Sequence, residues 1–173
     1  MRLTLISFLD TAWDRDTILD AVRGLAQLLA QCGVRTLAAE LRQLAAPPRF
    51  HYYQTPVSRE LARLLPAPRP AIYFVADTLN RPAFDAEAIG RANSASRPEL
   101  ADTVWVASGT RDLPIVLAHE LFHVLADSGA HSDEPGNLMR PETAPEHTRL
   151  TDTQCARMRA TAERNGLLTR VGN

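Results

Sequence analysis

Apolar residues in this chain fall into short dense runs and longer periodic stripes, divided by proline- and glycine-rich punctuation. "RLTLISFL" (2–9) is compact and apolar before the turn-prone "DTAWDRD", which predicts a first strand. "AIYFVAD" (71–77) and "TVWVAS" (103–108) are rich in β-branched and aromatic residues and predict central strands. Helical spacing is clearest from Thr17 onward, where Ile18, Val22, Leu25, Leu29 and Cys32 share one face and Gly33 supplies a stop. A second long helix is predicted over "RDLPIVLAHELFHVLADSG", with Asp112 as N-cap, Pro114 in the first turn and Gly129 as the closing residue. A third follows Thr151, through Cys155, Met158 and Thr161 to about Asn165, before Gly166.

Shorter signals fill the gaps. "SRELARLL" predicts a short helix capped by Ser58, between loops at "PPRFHYYQTP" and "PAPRP". "VRTLAAELRQLAA" reads two ways: Leu37, Leu41 and Leu44 suit a helix, whereas Val34 to Leu37 suits a short strand. The mixed polarity of "RPAFDAEAIGRANSASRPELAD" fits an exposed loop or an irregular edge strand, and Trp13 and Trp105 are expected in the core. The order of elements implies a single α+β domain over residues 1–173: a twisted mixed sheet packed on two long helices, followed by a C-terminal helix.

Composition narrows the partners more than the fold. A content of 45% hydrophobic and 23% charged residues is that of a folded domain. A formal net charge of −1 gives no electrostatic reason to expect nucleic acid or an anionic membrane, and favours a neutral substrate. Cys32 and Cys155 are too few for a disulfide framework, so buried free thiols and a reducing compartment are expected. The N-terminal apolar run stops at Asp10, too short for a secretory signal, and no other run has transmembrane length. A cytoplasmic monomer is the expectation, although a chain trimmed of a leader would read the same.

The candidate chemistry lies in "AHELFHVLADSGAHSDEPGNLM" (118–139). On a helix, His119 and His123 point the same way and can present two imidazole nitrogens to one zinc ion. Glu120, directly after the first histidine, is placed to hold and deprotonate a water activated by the metal, which is the logic of the His-Glu-x-x-His pattern. A catalytic zinc site needs a third protein ligand and an open position. His131, beyond a turn at Asp127-Ser128-Gly129, is the favoured third ligand; Asp127 is a rival for that place or a group supporting a ligand from behind. Glu134, Glu142, Glu146 and His147 lie in proline-punctuated loop and are weaker candidates. The plain alternative is a helix carrying two histidines satisfied by their surroundings.

"HELFHVLADSGAHSDEPGNLMRP" resembles the active-site region of metzincin zinc peptidases, particularly the matrixin-like branch. The resemblance implies a zincin-like domain with zinc held by His119, His123 and His131, Glu120 as general base, and Met139 in a turn beneath the metal. It divides the chain into residues 1–127, with the sheet and two main helices, and 128–173, with the third-ligand loop, the Met-containing turn and the last helix. The family pattern has Gly three residues and His six residues after its second His; here those positions are Ala126 and Gly129, and His131 comes two residues later. An active helix extended by about half a turn and turning at Gly129 would absorb the difference. The resemblance also places "TVWVASG" near an edge strand that receives an extended peptide.

These readings make the chain a zinc-dependent peptidase, most simply a metalloendopeptidase, acting on a peptide or protein substrate. Two rivals differ in class: a zinc-containing peptide-binding or regulatory module of the same fold without proteolysis, and a hydrolase of another amide. The loops "RFHYYQTPVSRE", with His51, Tyr52 and Tyr53, and "RPAFDAEAIGRANSASRPE" are candidates to cover a cleft, and Arg140 to face it.

Overall fold

The computed structural model describes residues 1–78, 88–91 and 97–170, with residues 88–91 described by their backbone. The first strand, β1 (Arg2–Phe8), is buried along nearly its whole length. Helix α1 (Arg15–Ala30) starts at Asp14, whose carboxylate accepts the backbone N–H groups of Asp16 and Thr17. Two donors left without helical partners are thereby satisfied. After α1 the chain turns at Gly33 (φ 71°) and returns as β2 (Ala38–Leu44), parallel to β1 in the register Arg2↔Ala38 to Phe8↔Leu44.

The strand begins only after the Val34–Leu37 segment that suggested one, and the helix suggested by Leu37, Leu41 and Leu44 does not form. Pairing along the full length of β1 outweighs a stripe of three leucines, and Leu37 is left exposed. A 3-10 turn over Pro48–His51 leads to β3 (Tyr52–Tyr53) and α2 (Thr55–Leu64). Pro56 occupies the first turn of α2, where its missing N–H and fixed φ suit a helix start. Ser58 is therefore inside the helix, buried, and accepts the N–H of Gln54 instead of capping.

Strand β4 (Ala71–Val75) pairs with β1, and β5 (Asp77–Thr78) with β3. Strand β6 (Ala88–Arg91) runs antiparallel to β7 (Thr103–Ala107), which is parallel to β4. The five-stranded sheet has the order β2-β1-β4-β7-β6, so β7 is one strand in from the edge and β6 is the edge. The remainder of the segment between residues 79 and 96 lies outside the described residues.

Helix α3 (Leu113–Ala126) and helix α4 (Asp152–Arg164) complete the architecture of four α-helices among the described residues. No described helix is long and apolar enough to cross a membrane.

Each face of the sheet has its own core. Leu3, Leu5, Ile72, Phe74, Val104 and Val106 meet α1, α3 and α4 on one side. On the other, Ile6, Phe8, Tyr73, Val75 and Trp105 meet the 3-10 turn, β3 and α2. Both tryptophans are buried: Trp105 stacks on Tyr73 at 3.9 Å, and Trp13 donates its ring N–H to the Val75 carbonyl. The two long helices approach closely where Gly24 of α1 faces Pro114 of α3; a Cβ added at Gly24 would stand 2.7 Å from the proline Cβ. The loop with His51, Tyr52 and Tyr53 belongs to the α2 side. His51 is bound to the Ala46 carbonyl and Tyr53 packs on Trp105, so the alternation of strand side chains puts that loop across the sheet from α3.

Cys32 and Cys155 are joined in a disulfide, contrary to the expected free thiols. The turn at Gly33 and the start of α4 bring Cα atoms separated by 123 positions to 4.9 Å, a closeness no local pattern encodes. The inference of a reducing compartment rested on those thiols and loses its ground.

Candidate metal centre

His119 and His123 sit one turn apart on α3 and share a face, as the helical repeat requires. Helix α3 ends at Ala126. Asp127 takes the left-handed conformation (φ 46°, ψ 53°), and its N–H bonds back to the last turn. The helix is thus shorter than the pattern implied and does not turn at Gly129. Aspartate is among the few non-glycine residues that adopt this conformation, and here it makes the bend two residues early. The chain then runs through Ser128 and Gly129 back towards the helix, and the three ring nitrogens of His119, His123 and His131 come within 4.8 Å of one another.

The ring geometry is compact. Centroids lie 4.7 Å apart for His119 and His123, 5.3 Å for His119 and His131, and 5.0 Å for His123 and His131. His119 is 3% exposed, His123 half-buried and His131 exposed, so the cluster opens to solvent on the His131 side.

Hydrogen bonds decide which nitrogens are free to bind. His119 donates Nδ1–H to the Leu138 carbonyl (2.8 Å), and His123 donates Nδ1–H to the Ser128 carbonyl (2.6 Å). A carbonyl can only accept, so both protons must be on Nδ1, and in the neutral rings both Nε2 atoms carry lone pairs. Those two Nε2 atoms face each other at 3.0 Å. Two lone pairs at that separation repel unless a cation or a proton lies between them.

Zinc fits this requirement, since two bonds of about 2.0–2.1 Å at a tetrahedral angle set donors about 3.3 Å apart. Burial holds the His119 imidazole down to a pKa of about 4, with His123 and His131 adding to the effect and the Leu138 carbonyl opposing it. His123 is lowered too, first by burial and then by His131, against the Ser128 carbonyl. Both rings are therefore neutral near pH 7, as metal ligation requires.

The other candidates fall elsewhere. Asp127 is exposed and lines a surface depression with Arg157, Thr161 and Arg164 of α4, outside the histidine cluster. His147 bonds the Glu142 carbonyl, and Glu134, Glu142 and Glu146 are exposed. Arg140 donates to the Asp133 carbonyl. Glu120 is half-buried on α3 beside His119.

Met139 is buried at 1% exposure in a turn whose preceding residue supplies the carbonyl behind His119. The Met139 carbonyl accepts the N–H of Ser132, next to His131. One turn thus supports ligand candidates from both the helix and the loop.

Solved structures share this arrangement of elements. Metalloproteinase-II from Bacteroides fragilis superposes with a TM-score of 0.64 at 16% identity, over 93% of this chain and 52% of that one. Archaemetzincin from Methanopyrus kandleri gives 0.59 at 15% identity, over 95% of this chain and 94% of that one. The fold is that of zincin-like metallopeptidases. At these identities the likeness is one of fold, and the chain spans about half the length of the Bacteroides protein. No protein-family profile and no curated protein matches the sequence.

Beyond the zincin fold, the structure adds residues that sequence reasoning missed. Asn137 and Gln154 join the Met139 turn to α4 through paired side-chain amides. The one available signal was the Thr151-x-x-Gln154 spacing, a helix-capping box that marks Gln154 as a cap and says nothing of Asn137.

Proposed function

We propose that this protein is a zinc-dependent peptidase in which His119, His123 and His131 hold the metal and Glu120 is the general base. The observation that carries the proposal is the convergence of three imidazole nitrogens, two of them aimed by carbonyls at their far side and facing each other across a gap that a cation would fill. The zincin fold supports the same reading. When bound, zinc supplies a Lewis acid that lowers the pKa of water towards neutrality and polarises a carbonyl.

The residues of the chain do the rest. Leu138 and Ser128 hold the His119 and His123 rings in one tautomer, so no tautomer change is needed on metal binding. Glu120 takes a proton from the attacking water and passes it to the leaving amine, alternating as base and acid. Edge strand β6, which packs beside α3, offers a backbone edge to an extended peptide or protein substrate, and an internal cleavage is the simplest outcome of such a pose.

Metal analysis beside a peptide-library assay tests this. Wild type should take up one equivalent of zinc and cleave peptides; Glu120→Gln should keep the zinc and lose about 10²–10⁴-fold in turnover, the usual range for a general base. A wild type that takes up no zinc, or a Glu120→Gln variant that cleaves at the wild-type rate, would refute it.

A further inference from the structure

We infer that the Asn137–Gln154 amide pair is a positioning device for the metal centre, fixing from α4 the turn that aims the His119 imidazole and anchors the loop backbone beside His131. This rests on the reading of His119, His123 and His131 as metal ligands. Asn137 is 3% exposed, and its side chain lies immediately before Leu138 and Met139. Its Oδ1 accepts the Met139 N–H (2.9 Å), and Gln154 Oε1 accepts the Thr151 N–H (2.8 Å).

Those two backbone donors settle which end of each amide is oxygen. With both orientations fixed, the remaining contacts are reciprocal: Asn137 Nδ2 donates to Gln154 Oε1 (3.0 Å), and Gln154 Nε2 donates to Asn137 Oδ1 (3.1 Å).

The consequence reaches the site along two short paths. The Leu138 carbonyl, one residue from Asn137, receives the His119 Nδ1–H, and the Met139 carbonyl, two residues on, receives the Ser132 N–H beside His131. The Leu138 N–H is itself held by the Arg149 carbonyl. Loss of the amide pair frees the turn between these anchors, and the hydrogen bond that fixes the His119 ring goes slack.

The far end of the pair is unusually well anchored. Gln154 precedes Cys155, which is disulfide-bonded to Cys32; Gln31 donates to the Thr148 carbonyl and accepts the Leu150 N–H. Helix α1, the start of α4 and the turn thus form one tied unit, and Gln154 joins the turn to it through side chains, beside the backbone bond between Arg149 and Leu138.

Three variants separate positioning from plain stability. Gln154→Met keeps the side-chain length and removes both amide contacts, whereas Thr151→Ala weakens the same helix cap without touching Asn137. His119→Ala reports on the ligand assignment itself. Zinc affinity is measured by chelator competition, the visible spectrum of the Co²⁺-substituted protein reports ligand geometry, and the melting temperature without metal reports stability.

Gln154→Met should weaken zinc about 10–100-fold, the range for residues behind a metal ligand, and alter the Co²⁺ spectrum. Thr151→Ala should lower the melting temperature while leaving affinity and spectrum as in wild type. Unchanged affinity in Gln154→Met, or equal losses of affinity in both variants, overturns the positioning role. Wild-type zinc affinity in His119→Ala overturns the ligand reading instead.

Discussion

His119 and His131 differ in everything but their target. The first is buried on a helix with a carbonyl behind it, and the second stands exposed on a loop and reaches the cluster because Asp127 turns the chain early. Asp127 contributes that bend through its backbone, and lines a surface depression with Arg157 and Arg164 of α4, outside the histidine cluster. The two residues therefore separate cleanly in experiment. His131→Ala should cut the zinc retained after desalting to below about a tenth of an equivalent, since two imidazoles do not make a catalytic zinc site. Asp127→Ala should retain zinc as wild type does, by elemental analysis of both proteins.

The first two histidines were legible because helical spacing converts sequence directly into geometry. The third was legible only as a candidate, since the position of a loop histidine depends on which residue turns left-handed, and glycine is the usual guess. Asn137 and Gln154 left no trace of their pairing in spacing, because an amide pair between a loop and a helix has no periodicity.

Among elements, the contact of α1 with α3 bears most directly on the site, because α3 carries two of the ligand candidates. Gly24 lets α1 lie against Pro114, whose ring cannot bend aside as a flexible side chain would. Gly24→Ala gains helix propensity and loses that contact. Overpacking of about 1–3 kcal/mol should outweigh the gain of about 1 kcal/mol, so a net loss of stability is expected on urea denaturation. A more stable variant would show that α3 can shift without penalty.

Elements were readable where one signal dominated. α1, α3 and α4 have stripes with punctuation, and β1, β4 and β7 have dense apolar runs. β2 was ambiguous because an edge strand buries little: its stripe of leucines described neither its start nor its face, and pairing with β1 decided both. α2 was placed four residues late because Ser58 looked like a cap, where Gln54 is the cap, and Pro56 looked like a loop residue. Both errors came from taking a local preference ahead of its position in the turn.

At the scale of the whole molecule, the sheet divides two cores, and everything assigned to metal chemistry lies with one of them. The α2 side packs aromatic rings and, among the described residues, contributes none to the histidine cluster. A ligand that binds only the folded chain raises its stability by mass action, by about 2.7 kcal/mol at a free concentration of 100 times Kd. For a domain of this size each kcal/mol is worth about 2–4 °C in Tm. Scanning calorimetry should therefore show saturating zinc raising Tm by about 5–11 °C, EDTA reversing the shift, and His119→Ala showing none. A Tm indifferent to zinc in wild type would count against a site built from the native fold.

The bond between Cys32 and Cys155 encloses β2 to β7, α2 and α3 in one covalent ring, with all three clustered histidines inside it. A backbone cut anywhere between those cysteines opens the ring without parting the molecule. A peptidase that clipped its own exposed loop would keep both pieces tethered and, with the cores on either side of the sheet intact, still gathered around the same three histidines. On a denaturing gel such damage would remain invisible until a thiol released the fragments.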